Sequence, residues 1–379
     1  MKKTVYLDNS STTKPCETAI ENANYALCEC WGNPSSLHLL GMNAENLVSQ
    51  TREKTASLIN SRADEIYFTG CGTESNNTAL LGAARARAKR GNRVVISSVE
   101  HPSVIETAKR LKAEGFEVIQ INPDKSGKIS EKEIKETINQ NTILVSIMLA
   151  NNETGAIMPV KAAAEQIKAA NAPALLHCDA VQAFGKMPID VSKLGVDLMS
   201  ASGHKIHAPK GIGILYVKKG VNIHPLMTGG GQERGLRSGT EAVPLIYALK
   251  GALDELPDLN RQLEIQKELF CYAKTKITEN ELALINSPDD ALPYILNISV
   301  LSYRSETLLH FLESFGVYVS SGSACAKGEG SYVLKNMGLD KKRIDSSLRI
   351  SFSRFNDKED IDIFCDVLKK AKEKIRKAN

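Results

Sequence analysis

Short apolar, β-branched runs alternate with longer helical patterns through the first two thirds of the chain. The runs at 65–69, 93–97, 117–121, 142–149, 174–178, 198–200 and 213–217 have the length and composition of strands. Between them, 74–89, 102–114 and 160–170 carry the wider spacing of helices. This alternation predicts an α/β fold, a mainly parallel sheet between helices. Ligands of such sheets bind beyond the carboxyl ends of the strands. Thr73, His101, Asn152, Asp179 and Lys205 each follow one of the predicted strands.

Around 253–262 the pattern changes to a long charged helix, read as a bridge. Beyond it, 295–300, 317–320 and 348–352 read as strands, with helices at 305–314 and 357–377, an α+β layer. The expected organisation is a large domain over 15–255. A smaller α+β domain, from 1–14 and 256–379, carries Cys325 and Arg349. The lysine-rich end reads as a solvated last turn that complements the helix dipole.

A length of 379 residues agrees with two domains. The net charge of +4 is small and its basic residues are interspersed with acidic ones, so nucleic acid is not the expected partner. No run approaches the roughly 18 to 20 apolar residues that span a bilayer. The first residues lack a secretory pattern, and a cytoplasmic protein with reduced thiols is expected. The eight cysteines are scattered. Cys28 and Cys30 stand too close together, with too few neighbours, for zinc, and no metal is expected.

The candidate chemistry concentrates at strand ends. An aldehyde cofactor that stabilises carbanions needs a lysine for its Schiff base and an acid beside its pyridine nitrogen. Lys205, in Ser202-Gly203-His204-Lys205, and Asp179, in His177-Cys178-Asp179-Ala180, meet that need. Gly70-Cys71-Gly72-Thr73 joins a strand to a helix, where backbone N–H groups hold phosphate, although a Thr and Ser before a helix also make an ordinary cap. Ser202 and His204 add weight to the phosphate reading. Asp179 alone would also serve to cap a turn. Gln182 is placed to bond the ring's phenolic oxygen, and His101 to stack on the ring and shuttle protons, or to be structural.

Arg349 lies inside an apolar strand, and a planar guanidinium there suits a substrate carboxylate, with Asn152 orienting the same end. Cys325 sits among Ser, Gly and Ala, a composition expected of an exposed loop, where a thiolate can act as nucleophile. The set reads as pyridoxal phosphate chemistry that ends on a thiol.

With these residues the chain resembles the cysteine desulfurases of the NifS and IscS type, within the class V aminotransferases. The likeness runs from Tyr6-Leu7-Asp8-Asn9 to 349–355 and includes Gly32-Asn33-Pro34-Ser35-Ser36, Asn151-Asn152-Glu153-Thr154-Gly155, Ser202-Gly203-His204-Lys205 and Ser320-Ser321-Gly322-Ser323-Ala324-Cys325. The resemblance implies the fold type I of pyridoxal 5'-phosphate enzymes. It implies that Lys205 holds the cofactor and removes the α-proton, with Asp179, Gln182 and His101 about the ring. Gly72, Thr73, Ser202 and His204 would bind phosphate, joined by Thr240 from the other protomer of a homodimer. L-cysteine would give alanine and a persulfide on Cys325. An acceptor protein would then take the sulfur, for iron–sulfur cluster assembly or tRNA thiolation. Five residues separate Cys325 from Ser331, a shorter stretch than in IscS-like members, and His207 stands where tyrosine is common.

Three other readings compete with this one. A selenocysteine lyase or C–S lyase would not need Cys325, and a transaminase would leave it without a role. A binding scaffold of the same fold would not require Lys205, Asp179, His101 and Arg349.

Overall fold

The computed structural model describes residues 3–321 and 330–377. Seven strands form one sheet in the order Ile66–Thr69, Gly213–Val217, Leu198–Ser202, Leu175–Asp179, Thr142–Ser146, Arg93–Ser97, Glu117–Ile121. Gly213–Val217 runs antiparallel to both of its neighbours, and every other pairing is parallel. Six carboxyl ends therefore open on one edge of the sheet.

Thr142–Ser146, Leu175–Asp179, Leu198–Ser202 and Gly213–Val217 are buried at every position. Helices on both faces leave such strands no polar side, so they read as continuous apolar runs rather than alternations. Three predicted strands, 93–97, 117–121 and 213–217, have their observed bounds. The run at 142–149 ends as strand at Ser146, and that at 198–200 continues to Ser202.

The expected charged helix across 253–262 is two helices, Val243–Asp254 and Leu259–Glu279. Pro257 lacks an N–H and disfavours helical backbone in the residue before it, so the chain breaks there. Asp258 then starts the second helix by accepting from the Arg261 N–H at 2.8 Å.

A second core lies around the three-stranded antiparallel sheet Ser347–Ser351, Ile295–Ser299, Leu284–Ile285 and the parallel pair Val5–Tyr6 and Val317–Tyr318. Leu7, Phe270, Leu308, Phe352 and Phe364 fill it. The cores do not divide at a single chain position. Leu292, Tyr294, Val333, Leu334 and Met337 pack with the large sheet, although they follow residues of the second core. Among the described residues no helix is long and apolar enough to cross a membrane.

Candidate functional site

Leu198–Ser202 ends in a single 3-10 turn, Gly203–Lys205, which turns Lys205 out over the edge of the sheet. Its Nζ donates to the carbonyl oxygens of Ser10 at 2.5 Å and Ser11 at 2.7 Å. Burial and the positive charge of Arg349 push its pKa down to about 8, against the pull of Asp8 and Asp179. An amine held near neutrality is suited both to attack a carbonyl and to accept a proton.

Asp179 is the last residue of its strand and is buried. Its Oδ1 accepts from the Val181 N–H at 2.9 Å, and its Oδ2 from Asn76 Nδ2 at 2.7 Å. Asn76 also donates to Ser103 Oγ at 2.8 Å, and the same hydroxyl lies 2.8 Å from His101 Nδ1. A polar chain thus joins Asp179 to His101, whose pKa is lowered by burial, with Lys205 adding to the effect and Asp179 opposing it. Gln182 donates to the Ser10 carbonyl at 3.0 Å and accepts from Lys186 Nζ at 3.2 Å. This leaves one amide N–H of Gln182 for another acceptor.

The turn at 70–73 leads into the helix Gly72–Arg87, whose first residues receive no side-chain cap. A Cβ on Gly72 would meet Val181 Cγ2 at 3.0 Å and Ser202 Cβ at 3.3 Å, so the turn lies tightly against the Ser202 loop. Thr73 is exposed, and Ser202 Oγ is buried with no hydrogen-bond partner. His204 Nδ1 sits 3.1 Å from Thr12 Oγ1. Burial and nearby lysines push its pKa down to about 4, so the ring is neutral. Free helix N–H groups and an orphaned hydroxyl favour an anion.

Arg349 is 4% exposed within Ser347–Ser351. Its Nη1 donates to the Asn152 carbonyl at 3.0 Å, and its Nη2 to Asp8 Oδ1 at 2.8 Å and Ser11 Oγ at 2.6 Å. Its Nε and Asn152 Oδ1 are buried without partners. A carboxylate approaching from the side would meet Nε and compete with Asp8 or Ser11 for Nη2. Unsatisfied buried groups cost about 1–3 kcal/mol each, so a ligand that pairs with them is stabilised. The set fits pyridoxal phosphate with an amino acid beside it: an amine, a buried acid, an uncapped helix start and an arginine.

Two networks form. Asn76 and Ser103 join Asp179 to His101. Residues 8–11 join Lys205, Gln182 and Arg349, with Asn152 on Arg349. The two meet through the charges of Asp179 and Lys205. Thr240 is exposed and has no hydrogen bond to them among the described residues, although Arg237 binds Glu74 at 2.8 Å near the 70–73 turn. Cys325 lies outside the described residues. His207 turns away, with left-handed backbone at φ 70°, its Nδ1 2.9 Å from the Lys14 carbonyl and its ring edge-on to Phe355.

Sequence reasoning missed Asn76 and the Asp8, Ser10 and Ser11 contacts. Asn76 reads as an ordinary helical position, and the N-terminal residues reach Lys205 and Arg349 only through tertiary folding. Among the described residues, no group of three or more His, Cys, Asp and Glu is placed to hold a metal.

Over residues 5–364 the chain matches the family described as Aminotransferase class-V. It is 40% identical over 380 residues to a protein named cysteine desulfurase IscS from Methanosarcina thermophila, with 99% of this chain and 93% of that one covered. A solved structure named NIFS-LIKE PROTEIN superposes with a TM-score of 0.93 at 36% identity, covering 98% of this chain and 100% of that one. Another, named SspA in complex with cysteine, gives a TM-score of 0.82 at 32% identity over 94% of this chain and 100% of that one. The chain belongs to the class-V aminotransferases, a pyridoxal-phosphate-dependent family, and to the cysteine desulfurases of the NifS and IscS type within it.

Proposed function

We propose that the chain removes sulfur from L-cysteine, leaving L-alanine and a persulfide on Cys325 that an acceptor protein then takes. The observation that carries this reading is that Lys205 and Arg349 converge through residues 8–11, with Asn152 on Arg349 and the charge of Asp179 acting on Lys205. Pyridoxal 5'-phosphate, when bound, supplies the electron sink for cleavage at the substrate carbons.

Asp179, fixed by Asn76 and the Val181 N–H, would pair with the cofactor's pyridine nitrogen. Gly72, Thr73, Ser202 and His204 would hold its phosphate, and Gln182 and His101 would contact its ring. Arg349 and Asn152 take the α-carboxylate of L-cysteine, which aims the α-hydrogen at Lys205. The amine at Lys205 Nζ accepts that proton and returns one to the alanine carbon. The Cys325 sulfur forms a bond to the substrate sulfur as the carbon–sulfur bond breaks. One thiol and one cysteine become one persulfide and one alanine, with no outside oxidant.

A homodimer would bring Thr240 to the partner's phosphate site, and the exposed apolar residues Tyr25, Leu27, Trp31, Leu37, Leu39 and Met42 support one. An apolar surface of this kind is usual where a partner binds. The persulfide suits an acceptor thiol of an iron–sulfur scaffold or a tRNA-thiolation protein, in the cytoplasm.

Amino acid analysis after incubating the cofactor-loaded protein with L-cysteine tests the reading. Cysteine-dependent alanine release supports it. Pyruvate in place of alanine overturns it in favour of a different C–S lyase.

A further inference from the structure

The segment that contains Cys325 leaves and rejoins the described chain at two well-anchored places. On the upstream side, Ser320 exchanges backbone bonds with Arg349: its N–H reaches the Arg349 carbonyl at 3.1 Å, and its own oxygen accepts from the Arg349 N–H at 2.6 Å. On the downstream side, Ser331 caps the helix Tyr332–Asn336, accepting from the Leu334 N–H at 3.1 Å. The Ser331 hydroxyl donates in turn to Glu153 Oε2 at 2.5 Å. The helix is pinned further by Tyr332, which bonds the Glu100 carbonyl, and by Asn336 Nδ2, 2.8 Å from the Ser98 carbonyl.

Glu153 is 3% exposed and Ser331 2%. Burying a carboxyl group is costly, and the Ser331 hydroxyl donates to this one while it caps the helix. Burial pushes the Glu153 pKa up to about 7, against the Ser331 bond and the Arg349 charge. Glu153 is also held from behind. Its N–H reaches Asn151 Oδ1 at 2.9 Å, and its carbonyl accepts from Asn297 Nδ2 at 3.2 Å. Asn297 is the strand partner of Arg349, and the preceding carbonyl, of Asn152, is the one that Arg349 Nη1 binds. A buried acid that orients the capping hydroxyl therefore joins the chain after Cys325 to the Asn152–Arg349 pair.

We propose that Glu153 is a positioning residue: through the Ser331 hydroxyl it couples the chain that follows Cys325 to the Asn152–Arg349 pair, and so sets how fast Cys325 takes the substrate sulfur. The proposal rests on the desulfurase reading above. Cysteine binding depends on Arg349 and Asn152 themselves, and sulfur transfer depends on the Glu153–Ser331 tie.

The test compares the native holoenzyme with Glu153→Gln, Ser331→Ala, their double variant and Ser331→Thr in single turnovers with L-cysteine. Persulfide on Cys325 is followed by mass spectrometry, half-saturation by the cofactor's absorbance, and backbone order at 331–337 by hydrogen exchange. Loss of the Ser331 tie is expected to slow persulfide formation by roughly tenfold in either single variant, the scale of one charge-assisted hydrogen bond. Half-saturation stays within about twofold, because uniform substrate binding is untouched. The double variant is no slower than the slower single, Ser331→Thr keeps the native rate, and exchange at 331–337 quickens in both single variants.

Native persulfide rates in both single variants overturn the proposal, as do losses that multiply in the double variant. Loss of bound cofactor in Glu153→Gln and Ser331→Ala alike marks a folding role and overturns it too. If the native enzyme releases alanine without marking Cys325, the desulfurase reading fails first, and the proposal with it.

Discussion

Arg349 Nη2 lies 2.8 Å from Asp8 Oδ1, an ion pair between the two ends of the chain, with side chains 5% and 22% exposed. The pair orients the guanidinium before any substrate arrives. Arg349→Lys keeps the charge but loses the fork and its Nε. KM for L-cysteine should rise and kcat/KM fall by roughly 10- to 100-fold, as a charged hydrogen-bonding pair is lost. The cofactor spectrum should be unchanged, because Arg349 does not touch the phosphate turn. Steady-state kinetics with a parallel absorbance spectrum checks both.

Lys205→Ala should retain cofactor through the remaining contacts but lose the absorbance of the protein-bound Schiff base. Turnover should drop by roughly 10³-fold or more, the scale of a lost general base. Borohydride reduction followed by peptide mapping should label Lys205 in the native chain and nothing in the variant.

Asn76→Ala leaves Asp179 Oδ2 and Ser103 Oγ each without a donor. A stability loss of about 1–3 kcal/mol is expected, the cost of an unpaired buried group, with a larger effect on cofactor affinity than on KM. Denaturant melts and cofactor titration of the variant measure the two separately.

Glu100 supplies a pH dependence of known sign. Burial raises its pKa to about 8, against the hydrogen bonds from Ser97 and the Met148 N–H. Between about 4.5 and 8 the folded chain therefore binds a proton that the unfolded chain has released, and stability falls as pH rises through that window. Glu100→Gln removes this term, so the native chain should lose stability relative to the variant from pH 5 to pH 8, by on the order of 1 kcal/mol per pH unit. Urea melts of both proteins at the two pH values decide it.

The sheet was legible because its central strands are covered on both faces and carry few charged residues, 213–217 being unbroken apolar sequence. Lys205 and Asp179 were legible because each follows such a run in local sequence. The helix break at Pro257 was hidden by the charged residues on both sides of it. Asn76 and the carbonyls of Ser10 and Ser11 were invisible for a different reason: their partners lie 103 and about 195 positions away. Glu153 was visible only as part of Asn151-Asn152-Glu153-Thr154-Gly155, and its bond to Ser331 spans 178 residues.

The central claim is that sulfur leaves L-cysteine for Cys325. The most direct measurement is a single turnover of cofactor-loaded protein with L-cysteine and no added reductant, in the native chain and in Cys325→Ser. Alanine and protein-bound persulfide are quantified together. Equal amounts of both in the native chain, with the persulfide on Cys325 and neither product in the variant, is the predicted result. Alanine and free sulfide from Cys325→Ser at the native rate would contradict it and point to a lyase.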